Sequence, residues 1–323
     1  MRVTLTGATG LIGTTLLAGL QAEGAEITVL SRDPERAAAR LGVPAERWDP
    51  LGEPAPPAAL EGRDAVVHLA GEPVAQRWSA DAKRAIRESR VIGTRHLVEG
   101  IGACAAQGDP GRPKALVSAS AIGYYGAHGE EPLDEEAPPG SDFLAEVCTA
   151  WEAQARGAQE LGVRAVQVRT GVVLDPRGGA LAKMLPPFRL GVGGPVAGGH
   201  QYVSWIHVGD LVGMMRAALA DERWSGPVNG TAPEPVTNRE LSRALGRALH
   251  RPALLPVPGA ALRALYGEMA QIVTTGARVL PAKPLMLGYE FRYPHVEEAL
   301  RAALGERRTS PAGRAGAQGD RRA

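Results

Sequence analysis

The sequence has few cysteines, few aromatic residues and no excess of one charge sign, and each of these absences excludes a class of protein. Its two cysteines, Cys104 and Cys148, lie far apart and form neither a disulfide framework nor a zinc cluster, which favours a reducing compartment. Aromatic residues make up 4% of the chain, too few for a platform that stacks single-stranded nucleic acid. Neither charge sign dominates, since the formal net charge is +1, so no global field attracts nucleic acid or an acidic membrane surface.

Long apolar runs are also missing. No stretch of about 18 apolar residues occurs, so we expect no membrane-spanning helix. The first residues, MRVTLT, lack the charged region, apolar stretch and small-residue cleavage site of a secretory leader. We therefore expect a cytoplasmic protein.

The first half of the chain alternates apolar strand patterns with helical patterns. Strands are predicted at residues 3–6, 26–30, 65–69, 115–118 and 163–169, and helices at residues 11–22, 34–41, 80–105 and 143–161. The strands are continuous apolar runs, as in strands that are covered on both faces. This order predicts an α/β fold of the Rossmann type, a doubly wound parallel sheet with right-handed crossovers.

The pattern changes near residue 175. Paired glycines and prolines punctuate residues 178–199, which indicates loops and short elements. Helices are predicted again at residues 208–220, 238–250 and 260–279, the second of them capped by Thr237 or Asn238. We expect a dinucleotide-binding domain over residues 1–175, to which some later segments return, and a smaller C-terminal α/β subdomain over residues 176–304. Residues 305–323 are rich in Arg, Gly and Ala, a composition typical of a disordered tail.

The strongest local motif is the run TGATGLIG at residues 6–13. It follows the first predicted strand and opens the first predicted helix, the context in which such a motif binds phosphate. Gly7 permits a tight turn, Gly10 lets the backbone approach a pyrophosphate, and Gly13 lets helix and strand pack closely. The helix N-terminus adds free N–H groups and the positive end of the helix dipole.

The end of the second predicted strand indicates which dinucleotide is bound. An acidic residue there accepts hydrogen bonds from the ribose of NAD, whereas this chain has Ser31 and Arg32. A hydroxyl and a guanidinium suit the 2′-phosphate of NADP, although Arg32 as a solvated surface charge is the alternative. Asp33 is better explained as the cap of the next helix, with Pro34 at its first position. We expect NADP as cofactor, with NAD less favoured.

Further motifs resemble one known family. They are HLAG at 68–71, GEP at 71–73, RW at 77–78, SR at 89–90, GT at 93–94, GYYG at 123–126, SWIHVGDL at 204–211, GEM at 267–269, RVLP at 278–281 and GYEFRYP at 288–294. Over roughly residues 1–304 the chain resembles the extended short-chain dehydrogenases/reductases (SDRs). Within them it is most similar to the NAD(P)-dependent epimerase/dehydratase-like proteins that carry a C-terminal DUF1731 domain, here at about residues 252–300, the cell-division-inhibitor-like SDR subfamily.

The resemblance implies where a cofactor lies. The residues that it places along the cofactor, from the pyrophosphate to the nicotinamide end, are Gly7, Thr9, Gly10, Leu11, Ile12, Gly13, Ser31, Arg32, Leu69, Ala70, Gly71, Glu72 and Arg90. Arg90 stands where many extended SDRs have asparagine, and either a cofactor phosphate or a surface carboxylate such as Glu88 is its expected partner.

The catalytic residues depart from the family pattern. SDR enzymes use a Tyr followed four residues later by a Lys, together with a Ser or Thr that polarises the same substrate oxygen. Ser120 is the candidate hydroxyl, but the Tyr and Lys positions fall on Leu144 and Cys148, and the chain contains no other Tyr-x-x-x-Lys. The usual proton relay is therefore absent.

Several residues remain as candidates to replace that relay. Tyr124 and Tyr125 are candidate proton donors, and each is equally a candidate packing residue. Glu72 is a candidate carboxylate near the nicotinamide, or else a residue that makes a structural hydrogen bond to its loop. Cys148 is more simply a buried apolar-like cysteine than a nucleophile, and His207 a core histidine rather than a base or metal ligand.

Two functions follow from the sequence. The first is an epimerase or oxidoreductase that transfers hydride between NADP and a small unknown substrate, through an atypical site and without a metal. The alternative is a non-catalytic NADP-binding regulatory or scaffold protein. We expect no nucleic-acid or membrane partner, and the resemblance implies a possible homodimer through the long helices at 80–105 and 143–161.

Overall fold

The computed structural model describes residues 1–106 and 111–305 of the chain. The predicted disordered tail therefore lies, beyond Gly305, outside the described residues. The strands are β1 Arg2–Thr6, β2 Glu26–Ser31, β3 Ala45–Arg47, β4 Ala65–His68, β5 Ala115–Ala121, β6 Pro132–Leu133, β7 Arg164–Thr170, β8 Val172–Leu174, β9 Tyr202–Val203, β10 Trp205–His207, β11 Gly226–Gly230, β12 Val236–Thr237 and β13 Arg278–Val279.

Helices connect and cover these strands. The α-helices are α1 Leu11–Ala22, α2 Pro34–Leu41, α3 Pro57–Leu60, α4 Ala80–Ala106, α5 Phe143–Glu160, α6 Gly179–Arg189, α7 Val208–Ala220, α8 Asn238–Ala248, α9 Gly259–Tyr266, α10 Gln271–Thr274, α11 Ala282–Met286 and α12 Val296–Ala303. Two 3₁₀ turns cover Ile122–Tyr125 and Gly267–Ala270. No helix among the described residues is long and apolar enough to cross a bilayer.

Seven strands form the central parallel sheet in the order β11-β7-β5-β4-β1-β2-β3. The strand order reverses between β1 and β4, and such a switch point opens a crevice at the carboxyl ends of the strands. This arrangement confirms the predicted Rossmann-type fold. The edge strands β3 and β11 were not predicted, because short stretches such as GPVNG in β11 hold little apolar side chain.

The sheet is covered on both faces, as the continuous apolar strands predict. On one face Leu16 and Leu20 of α1 and Met215 of α7 pack on the strands. On the other face Leu97 and Ile101 of α4, together with α5, form a second core. These helices fix the carboxyl ends of β1, β4 and β5 at a single edge.

The C-terminal elements depart most from the expectation. Residues 178–199 are not mainly loop, because α6 buries Leu181, Leu185 and Phe188 at helical spacing although it contains two prolines. The predicted helix over 260–279 is wrong as a single element. It breaks at Gly267, whose φ of +63° ends α9, and residues 278–279 instead pair with β6.

Candidate functional site

The turn between β1 and α1 is built so closely that two of its positions require glycine. Gly7 has a φ of +67°, and a Cβ there would lie 2.6 Å from the carbonyl carbon of Leu69. A Cβ on Gly13 would lie 2.4 Å from the carbonyl oxygen of Gly7. The turn therefore passes close to the end of β4, and α1 starts directly behind it, as the motif predicts.

The N-terminus of α1 is suited to an anion. Its N-cap is Gly10, which offers no side-chain acceptor, and its first turn contains no acidic residue. The first N–H groups of the helix are thus left to a ligand, and the helix dipole favours negative charge there.

A pocket opens beside this turn and runs toward the end of β2. Its lining residues are Gly7, Ala8, Thr9, Gly10, Val29, Leu30, Ser31, Arg32, Trp48, Pro50, Leu69, Ala70 and Gly71. Most predicted cofactor residues are among them, and Ile12 and Gly13 lie behind the turn in the core. Trp48 and Pro50 were missed, because they come from the loop after a short strand that carries no motif. The glycine cradle, the free helix end and the elongated lining fit a dinucleotide.

At the end of β2 the two polar residues behave differently. The Ser31 hydroxyl donates to the carbonyl oxygen of Asp33 at 3.1 Å, and Asp33 caps α2 through the N–H of Arg36, as predicted. Arg32 is exposed on the pocket wall and forms no hydrogen bond or ion pair with any described residue. Its guanidinium is available to a ligand.

The end of β4 is held in place by a buried threonine. The Thr6 hydroxyl oxygen accepts from the N–H groups of Leu69 and Ala70, each at 3.2 Å, and lies 2.7 Å from Nδ1 of His68. Burial, assisted by the Arg90 charge, lowers the pKa of His68 to about 4, so its ring is neutral at pH 7. The pocket wall at residues 69–71 is therefore fixed from behind by neutral polar groups.

Glu72 and Arg90 lie next to this wall. Oε1 of Glu72 accepts from Nε2 of Gln76 at 3.2 Å, which is a structural contact. Arg90 is half-buried, and its Nη1 donates to the carbonyl oxygens of Glu72 and Ile86, both at 3.0 Å. A Cβ on Gly71 would lie 3.3 Å from the guanidinium carbon. Arg90 is thus not the surface arginine paired with Glu88.

Ser120 and Tyr125, two of the candidate catalytic residues, point into the interior instead of the pocket. Ser120 is 3% exposed and donates to Oε1 of Glu152 at 2.7 Å. Tyr125 is fully buried, and its hydroxyl lies 2.7 Å from Oδ1 of Asn229 and 2.9 Å from Nη1 of Arg169. Burial raises the pKa of Tyr125 to about 12. The Ser120 hydroxyl in β5 thus points toward α5, and the Tyr125 hydroxyl at the end of the 3₁₀ turn points toward β11, so a catalytic role for either stays a prediction.

Tyr124 is the remaining tyrosine of that loop. It is half-buried, and the guanidinium carbon of Arg169 lies 3.5 Å from the centre of its ring. A Cβ on the adjacent Gly123 would lie 3.2 Å from Cβ of Leu144 and 3.9 Å from Sγ of Cys148. The positions of the missing relay therefore face this loop.

Neither Cys148 nor His207 has the properties of a reactive group. Burial, followed by the charge of Glu152, raises the pKa of the Cys148 thiol to about 12, so it remains protonated. Nδ1 of His207 accepts from the N–H of Gly209 and caps α7, and burial lowers its pKa to about 4. Within the described residues, no three His, Cys, Asp or Glu side chains are grouped so as to hold a metal ion.

An ion-pair network behind Tyr124 was missed by sequence reasoning. Arg169 and Glu152 form two hydrogen bonds of 2.8 and 2.9 Å, and both side chains are at most 3% exposed. Their partners are Ser120 of β5, Tyr125 of the 3₁₀ turn and the carbonyl oxygen of Glu135 between β6 and α5, so no local motif connects them.

Two family models match the chain. Residues 3–229 match the NAD dependent epimerase/dehydratase family, and residues 257–303 match a domain of unknown function, DUF1731. These matches confirm the resemblance drawn from the motifs.

Individual relatives cover nearly the whole chain. An Arabidopsis thaliana protein described as epimerase family protein SDR39U1 homolog, chloroplastic, is 44% identical over 307 residues, which cover 94% of this chain and 87% of that protein. Human epimerase family protein SDR39U1 is 39% identical over 306 residues, which cover 93% and 99%. The crystal structure of human SDR39U1 (isoform 2) with NADPH has a TM-score of 0.82 at 37% identity and covers 94% of this chain and 99% of that one. This chain therefore belongs to the NAD dependent epimerase/dehydratase family of extended SDRs and carries a DUF1731 segment over residues 257–303.

Proposed function

We propose that this protein binds NADP(H) in preference to NAD(H) in the pocket beside α1. Gly7, Thr9, Gly10 and the first N–H groups of α1 hold the pyrophosphate, and Ser31 and Arg32 hold the adenosine end. The observation that carries the proposal is Arg32, a guanidinium on the pocket wall that no described residue pairs with. A 2′-phosphate supplies the partner that it lacks, through charge-assisted hydrogen bonds. The human relative's structure with NADPH supports the same cofactor.

The reaction that we propose is hydride transfer to or from a carbonyl or carbinol carbon of a small molecule. The cofactor supplies the hydride chemistry when bound, and the protein orients the substrate and excludes water. The substrate lies at the carboxyl ends of β4 and β5, below the loop of Tyr124 and the segment 178–200. Tyr124 is the candidate proton donor, since the Ser120 and Tyr125 hydroxyls are enclosed.

A second candidate function is a regulatory or scaffold protein that binds NADP without turnover. Leu144 and the protonated Cys148 stand where the relay Tyr and Lys are expected, and neither transfers a proton at pH 7. This observation favours a protein that keeps the cofactor pocket without the chemistry.

Cofactor preference is tested by titrating the purified protein with NADPH and NADH and following the nicotinamide fluorescence. Arg32→Gln raises the Kd for NADPH roughly tenfold, because one charge-assisted contact is lost, and leaves NADH unchanged. Arg36→Gln, an exposed arginine of α2 outside the pocket lining, is the matched control and changes neither constant. Tighter binding of NADH than NADPH by the wild type would refute the assignment.

Turnover separates the two candidates. The protein is incubated with NADPH and a panel of aldehydes, ketones and nucleotide sugars, and NADPH absorbance is followed. Any turnover that falls by at least about tenfold in Tyr124→Phe supports the oxidoreductase with Tyr124 as donor. Tight NADPH binding without any turnover supports the non-catalytic alternative.

A homodimer through α4 and α5 stays a prediction. The two helices pack against each other along the sheet. Light scattering coupled to size-exclusion chromatography measures the mass directly, and a monomeric mass would contradict the prediction.

A further inference from the structure

Arg90 forms no salt bridge with any carboxylate among the described residues. Its Nη1 is bound to two neutral carbonyl oxygens, and its guanidinium carbon lies 5.1 Å from the centre of the Trp151 ring. Among the described residues it has no ion-pair partner. The carboxylate of Glu72 is close enough for its charge to offset the desolvation of Arg90 in part, but its hydrogen bond comes from Gln76.

The charge is also partly removed from water. Desolvation lowers the pKa of Arg90 below the ordinary range of a guanidinium, although the group remains cationic at pH 7. The aromatic face of Trp151 and the protonated thiol of Cys148 add no negative charge. A half-buried cation of this kind acts strongly on any charge placed next to it, because the effective dielectric constant there is well below that of water.

The position of Arg90 on α4, beside the end of β4, indicates which part of a dinucleotide it faces. The pocket runs from Arg32 at the end of β2, past the turn after β1, to Gly71 at the end of β4. Arg90 contacts Gly71 on the side away from β2 and reaches toward α5, which covers β5 and β7. A dinucleotide with its adenosine at Arg32 therefore brings its nicotinamide end to Arg90.

We propose that Arg90 makes the site prefer the reduced cofactor, so that the protein holds NADPH more tightly than NADP⁺. The inference rests on the proposed function. The oxidised nicotinamide ring carries one positive charge and the reduced ring carries none, while the rest of the molecule is the same. A fixed cation beside the ring consequently repels NADP⁺ and not NADPH.

The test compares dissociation constants and needs no substrate. The Kd values of NADPH and NADP⁺ are measured by isothermal titration calorimetry for the wild type, Arg90→Lys, Arg90→Gln and the control Arg87→Gln, an exposed arginine on the same helix. We expect NADPH to bind the wild type roughly tenfold or more tightly than NADP⁺, the size expected for like charges a few ångströms apart at a partly buried site. Arg90→Lys and Arg87→Gln keep this ratio, and Arg90→Gln brings it close to one.

Two results would overturn the inference and leave the NADP assignment intact. One is equal affinity of the wild type for the two forms. The other is a parallel rise of both Kd values in Arg90→Gln, which would place Arg90 on a phosphate. The ratio of the two wild-type Kd values can be measured even if Arg90→Gln fails to fold, and a ratio of one would overturn the inference. If the wild type binds neither form, the proposed function itself is refuted.

Discussion

Two glycines of α1 differ completely in what their neighbours allow. A Cβ on Gly13 would lie 2.4 Å from the carbonyl oxygen of Gly7 and 2.7 Å from Cα of Ala8, both backbone atoms that cannot move aside. A Cβ on Gly19 would have the flexible side chain of Arg216 as its nearest neighbour, at 3.6 Å. The first glycine is required by packing, and the second is a free helix position.

This difference gives a paired prediction. Gly13→Ala lowers the free energy of unfolding by about 1–3 kcal/mol through overpacking and weakens NADPH binding, since the turn must shift. Gly19→Ala raises the free energy of unfolding by up to about 1 kcal/mol, because alanine replaces glycine inside a helix. Urea denaturation followed by circular dichroism measures both. Equal effects of the two substitutions would show that the close contact at Gly13 does not constrain the turn.

The residue scale is also where prediction from sequence was least complete. The motif at residues 6–13 has a fixed chemical logic, so its glycines could be located without a structure. The side on which Ser120 and Tyr125 lie could not. One residue of register reverses the direction of a side chain in a strand such as β5, and no motif predicts the 3₁₀ turn that holds Tyr125. Arg169 was not singled out at all, since its partners are distant in the sequence.

At the scale of single elements, capping side chains fix where two helices begin and affect their stability. Thr237 and Glu240 form a complete capping box at the start of α8, which confirms the cap predicted there. His207 caps α7 with a ring nitrogen, so that cap exists only while the ring is neutral. A cap made by histidine makes the stability of a helix depend on pH.

The direction of this dependence follows from the pKa of His207, which folding lowers from 6.5 to about 4, mainly by burial. The folded state therefore binds fewer protons than the unfolded state between these values. The stabilisation is complete above pH 6.5 and is lost as the pH falls toward 4. His207→Asn keeps a capping side chain that does not titrate. The free energy of unfolding, and with it the unfolding midpoint, should therefore change less with pH in this window, since the slope loses the contribution of about one proton. Folding also lowers the pKa of His68, so the variant keeps the part of the pH dependence that His68 contributes. An unchanged slope in thermal melts from pH 4 to 7 would contradict the assignment.

Element prediction succeeded where a continuous apolar run left one interpretation. The strands β1, β2, β4, β5 and β7 were found in this way, and α1, α2, α4 and α5 were found from their helical patterns. Prediction failed where pairing is non-local, because β13 exists through its pairing with β6 about 145 residues earlier. It also failed at α6, where two prolines concealed an apolar helical face.

At the scale of the whole molecule, buried polar groups join the C-terminal segment to the central sheet. The carboxylate of Glu135 accepts from the N–H of Asn229 in β11 at 2.9 Å and from the N–H of Lys283 in α11 at 3.1 Å. The backbone carbonyl of the same glutamate accepts from Nη1 of Arg169 at 3.1 Å. The DUF1731 segment is therefore attached to the sheet through the same network that lies behind Tyr124.

The centre of this network is the buried pair of Arg169 and Glu152, and its removal should be felt by the whole fold. Arg169→Met leaves the Glu152 carboxylate buried without its counter-charge, which costs about 3–5 kcal/mol of unfolding free energy. The double variant Arg169→Met with Glu152→Leu removes both charges, and we expect it to recover a large part of that loss, because an apolar pair of similar volume carries no desolvation penalty. Urea unfolding monitored by tryptophan fluorescence gives both values. A single variant that loses less than about 1 kcal/mol would contradict the central place of Arg169 in this network.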